Sequence, residues 1–159
     1  MFNAVLIAMI SMLFIGLVSF FLGGAIVSLL LENSNRLSIL LSNSFAILGS
    51  LFGIILGLTI LVTQQATAFS FATSMPLFSI SHNLDLLAGY FMVLIGVVGF
   101  ASSLYGIGYL RHYKTYNVGS FGFFYNLFLL SLFLVVTASN SLYFLFVWEI
   151  MSLTSFFLV

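Results

Sequence analysis

Cysteine is absent from the 159 residues, proline occurs once, and only three basic and three acidic side chains are spread along the chain. Without cysteine, the chain itself can hold no disulfide, no thiolate zinc site and no cysteine-ligated iron–sulfur cluster. Any redox chemistry must then belong to a partner. Three Lys plus Arg and a net charge of zero cannot supply the phosphate contacts that nucleic-acid binding requires. A soluble domain carries roughly 25% charged residues, whereas this chain has 4% charged and 63% hydrophobic. A water-soluble globule is excluded, and the lipid bilayer becomes the expected solvent.

What is present is a series of long apolar runs. About 20 residues suffice to cross the hydrocarbon core, and five stretches qualify or nearly so: 2–31, 37–62, 86–110, 121–138 and 142–159. They predict an all-α polytopic membrane protein, a single membrane domain over 1–159. The first run has no basic leader and is too long for the core of a signal peptide, so it is expected to remain in the mature protein. The fifth, at about 1.5 Å per residue, covers about 27 Å and looks cut off before it has crossed. The turn Ser139, Asn140, Ser141 is so short that spans four and five must be adjacent and antiparallel.

In the second span Gly49, Gly53 and Gly57 stand four apart and form a small-residue stripe, which lets another helix backbone approach closely. The link from Thr63 to Asp85 contains Pro76 and the alternating stretch Leu77, Phe78, Ser79, Ile80, Ser81; it is long enough to fold back as a short hairpin on the membrane surface. His82 and Asp85, lacking further ligands, read as a solvated helix start capped by Asn83 or Asp85, with no metal. Arg111, His112 and Lys114, with Tyr105, Tyr109, Tyr113 and Tyr116 around the same level, read as a membrane-interface belt anchored by Arg111 and Lys114. No cofactor and no catalytic redox site are expected in this chain. Arg36, Arg111 and Lys114 fall on loops of one side, so the bias of basic residues toward the cytoplasm puts the N-terminus outside.

The residue that stands out is Glu149, an ionisable carboxylate inside the apolar fifth run. An acidic group at the centre of a membrane helix costs about 2.5 to 3.5 kcal/mol, and such groups usually mark ion or proton paths. At about 100° per residue, Ser152 lies near −60° from Glu149, Ser141 near −80°, Trp148 near −100° and Ser155 near −120°. One sector thus gathers nearly all the polar groups of the helix, with Ser152 and Ser155 as polar neighbours of the carboxylate, while Thr154 falls on the other side. A Glu that only fixes packing is the competing reading.

The stretch WEIMSLTSFFLV, 148–159, preceded by NSLYFLFV, resembles a helix of the antiporter-like family shared by hydrogenase-4 and formate hydrogenlyase complexes, Mrp-type antiporters and respiratory complex I, most nearly its hydrogenase-4 branch. LDLLAGYFMVLIGVVGFASSLYGIGYLRHY is similar to the family's third helix. The resemblance implies the N-terminal portion of a proton-translocating subunit within an oxidoreductase complex in a bacterial or archaeal cytoplasmic membrane. Its partners would be other membrane subunits and protons, or sodium ions. In the family a glutamate at the position of Glu149 pairs with a Lys of a later helix, which these 159 residues do not contain. An Mrp-type sodium/proton antiporter subunit and a structural fragment without transport remain alternatives.

Overall fold

Each apolar run closes into a helix because lipid offers no partner for free backbone groups, and a helix satisfies them within itself. In a computed structural model, which describes residues 2–71, 78–110 and 117–159, the helices are α1 Phe2–Leu30, α2 Asn35–Thr63, α3 Leu86–Tyr109, α4 Val118–Thr137 and α5 Ser141–Leu158. All five are long and apolar enough to cross a membrane. The only sheet among the described residues is a two-stranded antiparallel hairpin, β1 Thr67–Phe71 and β2 Ile80–Leu84, with Thr67 opposite Leu84 and Phe69 opposite His82. Thus the fold is all-α and polytopic, and the hairpin occupies the link between α2 and α3.

Helix ends follow capping chemistry more closely than hydropathy. α4 begins at Val118, three residues before the apolar run suggests, because Asn117 accepts a hydrogen bond from the Ser120 amide at 3.2 Å. Asp85, rather than Asn83, caps α3, accepting from the Ala88 amide at 2.8 Å. Asn140 caps α5 by accepting from both Leu142 and Tyr143 amides at 3.0 Å.

Along α1 the buried side chains include Leu6, Ile10, Phe14, Leu17, Phe21, Ala25 and Ser28, a three-to-four spacing that keeps one stripe against the bundle, and the first five belong to the apolar core. They meet Ala46, Leu56 and Ile60 of α2, Met92 of α3, and Leu129, Leu130 and Phe133 of α4. Phe21 and Phe133, both fully buried, bring their rings to 5.6 Å. Toward the α1–α2 turn the core becomes polar: Ser28 donates to the Gly119 carbonyl at 2.8 Å, and Asn126 donates to the carbonyls of Ser42 and Gly122. Asn117 also donates to the Glu32 carboxylate, tying that turn to the start of α4.

The glycine stripe of α2 does admit close neighbours, three different ones. Four residues advance a helix by about 400°, a drift of about 40° per step, so the stripe winds across the bundle. Gly49 faces Phe21 of α1, Gly53 faces Phe133 of α4 and Leu17 of α1, and Gly57 faces the backbone of α3. A Cβ on Gly57 would stand 2.6 Å from the Gly89 carbonyl oxygen.

Candidate functional site

α5 is the least buried of the five helices, with 17% of its spanning window inside the protein against 28% for the next lowest. Its buried residues are Tyr143, Val147 and Thr154. By the same rotation of about 100° per residue, these cluster near 140° from Glu149, opposite the polar sector. Glu149, Ser152, Ser155, Ser141 and Trp148 accordingly all face outward. Among the described residues the sector meets nothing that could pair with it, and none makes a hydrogen bond to the Glu149 carboxylate. α5 packs antiparallel on α4, as the stacked rings of Phe124 and Phe157 at 4.7 Å record. A carboxylate at that depth, in a row with two hydroxyls, can exchange a proton with a partner that covers the face.

The other anchors predicted from the sequence divide. Tyr105 and Tyr109 are exposed and stacked at 5.4 Å. Arg111, His112, Lys114, Tyr113 and Tyr116 lie outside the described residues, as do Pro76 and Leu77 of the link.

His82 requires a correction: it is not a solvated residue at a helix start but a buried one on β2, 3% exposed. Its imidazole sits among the rings of Phe14, Phe69 and Tyr143, with Nδ1 3.0 Å from Thr137 Oγ1 and Nε2 3.3 Å from the Tyr143 hydroxyl. The Thr137 hydroxyl is also within hydrogen-bond reach of the Phe133 and Leu134 carbonyls, at 3.0 and 3.2 Å. The hydroxyl has one hydrogen: directed at a carbonyl, it leaves Thr137 to accept from Nδ1–H while Nε2 accepts from Tyr143; directed at Nδ1, it leaves Nε2–H to donate to Tyr143. In either tautomer the neutral ring is held at both nitrogens. A cavity of about 450 Å³ opens beside it, lined mainly by Phe14, Ile15, Val18, Phe69 and Leu134.

The period-two pattern Ile80, His82, Leu84 is the one local signal of this burial, since it puts His82 on the face of Leu84, which is fully buried. Its partners are 55 and 61 residues away, beyond any local pattern.

Burial lowers the His82 pKa from 6.5 to about 4, because desolvation disfavours the charged ring. The folded ring binds its proton less readily than the unfolded one. Its contribution to stability is therefore complete above about pH 6.5 and is lost as pH falls toward 4, up to about 3 kcal/mol. Thermal unfolding in detergent should show wild type losing stability over that window and His82→Phe losing much less. Equal losses in both would contradict a buried neutral imidazole.

A scan of family models finds no match to the chain. Among curated proteins, the sequence is similar to hydrogenase-4 component B of Escherichia coli (strain K12), 31% identical over 146 residues, which cover 87% of this chain. The chain spans about a fifth of that relative, 21% of its length.

Proposed function

We propose, with partial membership of the hydrogenase-4 and antiporter-like family as the premise, that this chain is the N-terminal membrane domain of a proton-translocating subunit in an energy-converting hydrogenase or complex I-like assembly. The observation that carries the reading is the outward polar sector of α5: Glu149 with Ser152 and Ser155 on the face opposite Tyr143, Val147 and Thr154. A carboxylate in a polar row at membrane depth, without a partner among the described residues, fits a surface that later helices or neighbouring subunits complete. Glu149 accepts and releases the proton, or sets the charge state of a lysine on the covering helix. Proton uptake by inverted membrane vesicles, wild type beside Glu149→Gln, tests this. Unchanged uptake at equal abundance leaves Glu149 only a packing role.

Orientation follows from the three basic residues, with the N-terminus and the hairpin outside and the α1–α2 turn in the cytoplasm. Cysteines placed singly at Ser34 and Gln65, both exposed, should react differently with an impermeant thiol reagent on intact cells. Gln65→Cys is expected to label and Ser34→Cys to stay unlabelled; the reverse pattern would invert the topology.

A further inference from the structure

The geometry points to His82 as a positioning residue for Glu149: through Thr137 and Tyr143 it clamps the hairpin onto the α4–α5 turn and so fixes where α5 stands. This rests on the reading of Glu149 as the proton-handling group. The clamp has several parts. The Ser139 amide donates to the Ser81 carbonyl at 2.9 Å, and Ala138 bridges His82 in antiparallel fashion, so the turn acts as a short third strand beside β2. His82 then reaches α4 through Thr137 and α5 through Tyr143. Phe78 adds edge contacts to Tyr143 at 6.3 Å and Phe146 at 6.4 Å.

α5 depends on this grip more than its neighbours would. Only three of its residues are buried, and Tyr143 is the one of them nearest the turn. Glu149 lies six residues further on, about 9 Å along a stiff helix. A tilt released at Tyr143 is carried to the carboxylate, changing its distance to whatever covers the outward face.

The test uses the complete assembly in its own membrane, with His82→Phe, His82→Asn and Tyr143→Phe. His82→Asn keeps a polar amide at the Thr137 side and has no group at the Nε2 position, so it loses the bond to Tyr143; it should match Tyr143→Phe, and combining the two should add nothing. Hydrogen exchange by mass spectrometry over residues 138–147 should rise about fivefold in His82→Asn and Tyr143→Phe, the scale of one lost hydrogen bond, and further in His82→Phe, which loses both. The midpoint of the pH profile of proton uptake should also move by about half a unit or more, as expected when a charge partner's distance changes. A role confined to folding would lower abundance without moving that midpoint. Wild-type exchange, or a wild-type midpoint, in His82→Phe at normal abundance overturns the proposal. Where His82→Phe does not accumulate, Tyr143→Phe, which removes a single hydroxyl, decides in the same way. If Glu149→Gln pumps normally, the proton reading fails on its own, and the exchange data still report whether the clamp exists.

Discussion

Glu149→Gln is expected to assemble at wild-type abundance and to lose about a hundredfold in proton pumping, the lower range of what a positioned proton-transfer group contributes. Glutamine keeps the shape and much of the hydrogen bonding of glutamate but has no proton to exchange. Glu149→Ala also removes volume and leaves its covering partner unpaired, so both pumping and abundance should fall. If that partner is a buried lysine, either change leaves an uncompensated ammonium, which destabilises or shifts to its neutral form. Redox turnover elsewhere in the assembly should fall less than pumping where coupling is indirect. The measurements are native-gel abundance and proton uptake in inverted vesicles. Full pumping by Glu149→Gln at normal abundance would falsify the proton-handling role.

Gly57→Val should cost the fold itself. Its Cβ would stand 2.6 Å from the Gly89 carbonyl oxygen and 2.8 Å from Val93 Cγ2, and the first of these is backbone that cannot rotate away. Overpacking of this kind costs about 1 to 3 kcal/mol, occasionally more, enough to cut accumulation in the membrane by about tenfold. Gly108→Ala, whose Cβ would meet nothing within 4 Å, is the control and should accumulate normally. Equal abundance of the two variants would show that α2 and α3 do not pack backbone to backbone.

Much of this architecture is legible in the order of residues, because the bilayer reduces the problem to length and polarity. Runs of about 20 apolar residues become spans whatever their neighbours do. The polar sector of α5 follows from helical rotation alone, and its position opposite Tyr143 and Thr154 agrees with the angles. The winding of Gly49, Gly53 and Gly57 past three helices is less legible: spacing shows a small-residue stripe but not whose surface each step meets. His82 is misread for a related reason. Beside Asp85 it looks like part of a helix start, while its burial is created by Thr137 and Tyr143, brought in by the α4–α5 turn. Local pattern carries the elements, and the site made by distant segments escapes it.

The ring pair Phe21 and Phe133 stands between two polar regions, the serine and asparagine cluster around Ser28 and Asn126 and the hydrogen-bonded imidazole of His82. Leu17, Leu56, Ile60 and Met92 fill the surrounding core, each wholly inaccessible. An ion passing there would lose its water with no compensating charge, a penalty of several kcal/mol even after relaxation. In a membrane that stores energy as a gradient, such a septum works as insulation: it offers an ion no path through the first four helices, and leaves the proton exchange proposed for Glu149 to the outer face of the fifth.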